Sequence, residues 1–244
     1  MAILEICVDC AAGLEAARAG GADRAELCSA LELGGLTPSP GLIALAARQP
    51  LPCHAMIRPR AGGFAYTAAE IAQMEGDIAA IAAAGLTGVA FGATRDGALD
   101  GDLLARLLAH VAAVGEGVGR RLSTTLHRAI DTVADPVAAI DVAAALGFGR
   151  VLTSGGAPTA PAGRKMLRAM RERAGKAIRV MAGSGVTAEN VGDLLALGID
   201  EIHASCSVCV PEDDRALADL GFAHPRRATE VERVRALRRA LDHR

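Results

Sequence analysis

Short apolar runs alternate with glycines along this chain at a regular spacing. Four segments share one form: Ala19-Gly20-Gly21-Ala22-Asp23-Arg24-Ala25-Glu26-Leu27, Ala84-Gly85-Leu86-Thr87-Gly88-Val89-Ala90-Phe91, Leu146-Gly147-Phe148-Gly149-Arg150-Val151-Leu152-Thr153 and Leu197-Gly198-Ile199-Asp200-Glu201-Ile202-His203-Ala204. Each reads as a helix tail, a glycine suited to the left-handed position that ends a helix, a short loop and a strand. The glycines follow one another at intervals of 65, 62 and 51 residues, room for two β-α units each. The intervening strands are expected at residues 4–8, 54–59, 122–127 and 179–183. Helix starts are marked as well. Ser39-Pro40 and Asp135-Pro136 place a capping side chain before a proline, and Thr67…Glu70 and Thr229…Glu232 have the spacing of a capping box. Eight alternating units in 244 residues predict one (β/α)8 barrel domain over residues 1–244. A doubly wound sheet is the alternative, but the even spacing and the lack of a linker favour closure.

Composition narrows the function. Hydrophobic residues are 51% of the chain but aromatics only 2%, with no Trp and one Tyr, so Ala, Leu and Val must fill the core. Without rings to stack bases, and with a net charge of −2, a nucleic-acid partner is not expected. The start, Met1-Ala2-Ile3-Leu4-Glu5, lacks the basic and apolar regions of a signal peptide. The longest uncharged stretch, the 17 residues 78–94, contains Gly85, Gly88 and Gly92. It reads as helix, turn and strand rather than as a membrane span, which needs about 20 apolar residues. A cytoplasmic protein is expected, its six cysteines reduced and therefore packed, catalytic or metal-binding. The Ala-rich helices suggest a homodimer.

In such a barrel the chemistry lies at the C-terminal ends of the strands. Read in order, those ends offer Glu5, Cys7 and Asp9; Glu26 and Cys28; Arg58 and Arg60; Phe91-Gly92; His127, Arg128 and Asp131; Thr153, Ser154, Gly155 and Gly156; Gly183, Ser184 and Gly185; and His203, Ser205 and Cys206. Alternation puts Glu5 with Cys7, and Glu26 with Cys28, on one face each. Glu26 and Arg58 are placed to pair across adjacent strands, either in a site or as an ion pair plugging the barrel. Cys7, Cys10, Cys28, Cys206 and Cys209 converge on one rim if the first and last strands are neighbours. They are then soft ligands for Cu(I) or Zn(II), or simply small buried side chains. Cys53 begins a strand, at the wrong end for a site.

Gly155-Gly156, Gly183-Ser184-Gly185 and Ser205 have the character of a phosphate cradle, with Thr187 placed to cap the next helix. Arg58, Arg60, His127 and Arg128 would add positive charge. The only lysines, Lys165 and Lys176, lie away from strand ends, which excludes Schiff-base chemistry and pyridoxal phosphate attachment. His54, His110, His224 and His243 are scattered. His127 and His203 remain as candidates, His203 also as a structural partner inside the barrel.

The segments Leu4-Glu5-Ile6-Cys7-Val8-Asp9, Gly21-Ala22-Asp23-Arg24-Ala25-Glu26-Leu27-Cys28, Gly34-Gly35-Leu36-Thr37-Pro38-Ser39, Met56-Ile57-Arg58-Pro59-Arg60, Leu126-His127-Arg128-Ala129-Ile130-Asp131, Arg150-Val151-Leu152-Thr153-Ser154-Gly155 and Met181-Ala182-Gly183-Ser184-Gly185-Val186 closely resemble the CutC family, in family order. The resemblance implies a TIM barrel and a role in copper homeostasis, with Cys7 and Cys28 matching the cysteines proposed to bind Cu(I). The chain departs from the pattern in three places. Ala61-Gly62-Gly63-Phe64 replaces Gly-Gly-Asp-Phe, Cys10 stands where the family usually has Ser, and Cys206 and Cys209 lie outside the pattern. Copper leaves Glu5, Glu26, Arg58, His127 and Asp131 without a task. The alternative is an enzyme for a small phosphorylated or carboxylated metabolite. In it His127 is the general acid or base, held by Asp131 or Glu5, and Arg58 neutralises developing charge.

Overall fold

The computed structural model describes residues 2–211, 214–220 and 226–243. Eight strands run parallel: β1 Ile3–Val8, β2 Arg24–Leu27, β3 Cys53–Met56, β4 Gly88–Phe91, β5 Ser123–Leu126, β6 Arg150–Thr153, β7 Arg179–Ala182 and β8 Glu201–Ala204. Each pairs with its neighbours in chain order, and β8 pairs with β1, closing the barrel. Seven helices follow the first seven strands: α1 Ala11–Ala19, α2 Pro40–Ala46, α3 Ala68–Ala84, α4 Gly101–Gly117, α5 Pro136–Leu146, α6 Arg164–Ala174 and α7 Val191–Leu195. Two more, α8 Arg215–Asp219 and α9 Val231–Asp242, follow β8. This is the expected (β/α)8 barrel.

Alternation divides the side chains of each strand. Leu4, Ile6 and Val8 of β1, Ala25 and Leu27 of β2, and Val89 and Phe91 of β4 belong to the hydrophobic core, and all are fully buried. The inward positions are largely polar: Glu5, Arg24, Glu26, His54, Thr125, Arg150, Glu201 and His203 are all buried. Large rings there need space. Gly88 supplies it for His54, because a Cβ at that position would lie 2.6 Å from the imidazole. In the apolar layer Phe91 packs against Phe148 with ring centroids 5.2 Å apart. Phe91→Ala is expected to cost about 3–5 kcal/mol through lost transfer energy and the cavity left behind. Urea denaturation checks this, and a loss below about 1 kcal/mol would place Phe91 outside the close-packed core.

Several local expectations hold. Ser39 caps α2, Asp135 caps α5, and Thr67 and Glu70 form a reciprocal capping box at α3. Two do not. Thr229 ends a short strand, Arg226–Thr229, and the cap position of α9 is Glu230, which makes no side-chain cap. Thr187 stands a turn before α7, whose cap position is Asn190. The strand expected to reach residue 59 ends at Met56, and the Arg58 N–H turns away to Thr37 Oγ1 at 3.1 Å. After β8 the chain forms a hairpin, Ser207–Val210 with Arg226–Thr229, which reaches the mouth of the barrel.

Candidate functional site

A cavity of about 1040 Å³ opens over the C-terminal ends of the strands. Below it lies an ion network. Glu5 and Arg24 face each other in register on β1 and β2 and form a salt bridge. Arg24 also bridges to Glu201, and Arg150 reaches Glu201 at 3.0 Å with further bonds to Ser123 and Thr125. His203 Nδ1 lies 2.7 Å from Glu5. Burial alone would raise the Glu5 carboxyl, but Arg24, His203 and His54 outweigh it and hold the group well below the ordinary value of 4.5. His203 moves the other way. Burial opposes its charge, yet Cys7, Glu5 and Glu26 hold its pKa well above the ordinary 6.5. Glu5 therefore sits in the plug of the barrel, paired with Arg24, and does not line the cavity.

Glu26 is one layer higher, in register with Cys7. Its Oε2 accepts from the Cys28 thiol at 3.6 Å and lies 3.9 Å from His203 Nε2, while Oε1 is buried without a partner. Burial, with help from Glu5, raises its pKa to about 7, against the pull of His203. The Cys28 thiol is pushed well above its ordinary value by burial, then by Glu26 and Cys7. Cys7 and Cys28 both line the cavity floor. One donor atom each from Glu5, Glu26 and His203 falls within 4.8 Å of the others.

The expected pairing of Glu26 with Arg58 is not formed. Arg58 donates instead to the carbonyls of Leu33, Gly35 and Gly62, which brings two loops together under the rim. Arg60 turns away from the cavity to Glu70 and to the carbonyls of Ala61, Gly63 and Ala65. His127 is not held by Asp131 or Glu5. Its Nδ1 accepts the Ala129 N–H at 3.2 Å, and Nε2 is buried without a partner. Since Nδ1 is the acceptor, the ring proton belongs on Nε2. Burial and the charge of Arg58 push its pKa down to about 3, so the ring is neutral. Gly92 makes room for it, because a Cβ there would lie 2.7 Å from Nδ1.

The Ser154–Gly156 part of the expected cradle is already filled from within. Asp131 accepts from the N–H groups of Ser154 and Gly156 at 3.0 Å, from the Thr153 hydroxyl at 2.5 Å and from Arg128 at 2.8 Å. The Gly155 N–H goes to Thr153 Oγ1, and the Gly183 N–H to the Thr153 carbonyl. Thus Ser154, Gly155 and Gly183 stand behind the cavity wall, while Ser184, Gly185 and Ser205 line it. The five cysteines do not converge. Cys206 borders the cavity with Cys7 and Cys28, Cys10 caps α1 through its sulfur, and Cys209 is exposed on the hairpin. His224 lies outside the described residues. The cavity also takes Met56, Phe64, Leu152, Arg227 and Arg233, none of which the strand-end reading selected.

A closed barrel with a charged plug and a cavity at its C-terminal mouth defines the class: a TIM-barrel protein whose site is assembled from several strand ends. Within that class the CutC family model matches residues 2–208, and the chain belongs to the CutC family. It is 51% identical over 243 residues to a family protein CutC of Sinorhizobium medicae, covering 98% of this chain and 96% of that one. A family protein CutC of Rhizobium meliloti is 50% identical over 242 residues, with the same coverage. A crystal structure from Streptococcus agalactiae, described as a copper homeostasis protein CutC, superposes with a TM-score of 0.76 at 30% identity. It covers 84% of this chain and 99% of that one.

Proposed function

We propose that the chain handles copper by binding Cu(I) through Cys7 and Cys28. The observation that carries this is the placement of two buried thiols, from adjacent strands, on the floor of one cavity. Thiolates are the soft ligands Cu(I) prefers, and the copper homeostasis description of the Streptococcus relative agrees. The carboxylates that disfavour a Cys28 thiolate also favour a cation, so binding replaces the thiol proton with metal. The cytoplasm, which keeps thiols reduced, suits this chemistry and the six free cysteines. No helix among the described residues is long and apolar enough to cross a membrane. An anaerobic Cu(I) titration against a competing chelator tests the proposal. Tight one-to-one binding is expected, and weak or non-stoichiometric binding would overturn it.

A second reading is favoured by a different observation. Glu26 Oε1, Arg58 Nε and His127 Nε2 are buried polar atoms without partners among the described residues, and all three residues line the same cavity. This suits an enzyme acting on a small carboxylated or phosphorylated metabolite, with Glu26 moving a proton and neutral His127 donating a hydrogen bond. Glu26→Gln keeps the shape but removes the exchangeable carboxyl proton. It is expected to lower turnover of any substrate found in a metabolite screen by roughly 10²–10⁴-fold. Turnover unchanged in that variant would remove Glu26 from the chemistry.

A further inference from the structure

Arg58 lines the cavity and has no carboxylate partner among the described residues. It is 7% exposed. Its Nη1 donates to the carbonyls of Leu33 at 2.9 Å and Gly35 at 3.1 Å, and its Nη2 to Gly62 at 2.9 Å. All three acceptors are neutral, so the positive charge is solvated by dipoles but not cancelled. The guanidinium lies over the Phe64 ring at 5.2 Å, which fixes its plane, and the Nε–H is left without a partner. The same Phe64 ring packs against the imidazole of His127 at 5.0 Å. That imidazole, 2% exposed, presents a second buried N–H without a partner, at Nε2. Two orphaned donors and one uncancelled cation thus share one aromatic wall of the cavity. Native structures rarely leave buried donors unsatisfied, and groups that stay so commonly await a ligand or an ordered water.

We propose that this wall seats the carboxylate group of a small organic acid, bound by the Nε–H of Arg58 and the Nε2–H of His127. The proposal rests on the small-molecule reading of the cavity and supplies the chemical class of its ligand. A carboxylate, with one negative charge on two oxygens, matches one buried cation and two N–H donors. The N–H groups of Ser154 and Gly156 are already held by Asp131 and are closed to a second anion. The cavity, at about 1040 Å³, leaves space for an organic body to extend from that seat toward Glu26 on β2, three strands around the barrel from β5.

The test uses the full chain with pyruvate and benzoate as carboxylate probes and inorganic phosphate as the contrast. Calorimetry measures affinity, and proton–nitrogen correlation spectra follow the His127 ring. At least one carboxylate is expected to bind saturably at one per chain and to shift the Nε2–H resonance. Arg58→Gln and His127→Phe are each expected to weaken that binding by about tenfold or more, the range for losing a charge-assisted hydrogen bond. Arg58 also ties down two loops, so its variant alone is ambiguous; His127→Phe leaves those ties in place and keeps a ring. Absence of saturable carboxylate binding, tighter binding of phosphate than of either acid, or unchanged affinity in His127→Phe would each overturn the proposal. Carboxylate binding without turnover would support the seat while discarding the enzyme reading.

Discussion

The double variant Cys7→Ser, Cys28→Ser loses tight Cu(I) binding, by more than the roughly 10–100-fold that loss of an outer partner produces. The reason is ligand chemistry more than shape. Serine nearly matches cysteine in size, so the parallel strands β1 and β2 keep their register. The hydroxyl that replaces the Cys28 thiol can still donate to Glu26, as the thiol does. A hard oxygen, however, is a poor ligand for Cu(I). The single Cys7→Ser variant weakens binding less, because Cys28 and Cys206 still border the cavity. Cys206 is a reluctant substitute, since burial and then Cys7 push its thiol up to about 12. Cys10→Ser and Cys209→Ser change nothing, as neither sulfur reaches the cavity. Chelator competition under anaerobic conditions measures all of these. Affinity retained in the double variant would remove Cys7 and Cys28 as the copper ligands.

Arg24→Met has the largest expected effect on stability, a loss of about 3–5 kcal/mol. Arg24 is buried between Glu5 and Glu201, which are 1% and 2% exposed. Methionine fills much of the volume but leaves two carboxylates close together on the paired strands β1 and β8 with less cation between them. An exposed pair such as Arg173–Asp141 contributes far less, because solvent screens it and neither partner loses its hydration. The sign of the acid response follows from Glu5. Its folded-state pKa lies below the ordinary 4.5, so its stabilising contribution is complete above that value and is lost as pH falls through the depressed one. Removing Arg24 raises the folded-state pKa and makes acid unfolding begin at a higher pH. Urea denaturation across the acid range checks both, and a loss under about 1 kcal/mol would show that the plug is not stabilised by this pair.

The barrel was legible because glycines recur before strands and capping side chains precede helices. Both signals are local, and the chain obeys both at Gly85, Gly147, Thr67 and Asp135. The rim residues were legible as a set, because any charged residue near a strand end is costly unless used. Their partners were not. Whether Arg58 reaches for Glu26 or for carbonyls in two loops depends on rotamers and on loop closure 23 to 25 residues away. Likewise no pattern announces that Asp131 occupies the turn at Ser154–Gly156, since its loop meets the end of β6 only after folding. A signal for the plug did exist. Arg24 stands two residues before Glu26, and Glu201 two before His203, so period-2 alternation puts each pair inside the barrel. Arg227 and Arg233 reach the cavity from the hairpin and α9, with no strand-end position to mark them.

X-ray absorption at the copper edge of the Cu(I)-loaded chain decides whether the two thiols hold the metal. A first shell of sulfur from two cysteines is expected, and its loss when both Cys7 and Cys28 are replaced by serine. A first shell of nitrogen and oxygen alone, as Glu26 and His203 would give, or a sulfur shell that persists in the double variant, would contradict copper binding by this pair.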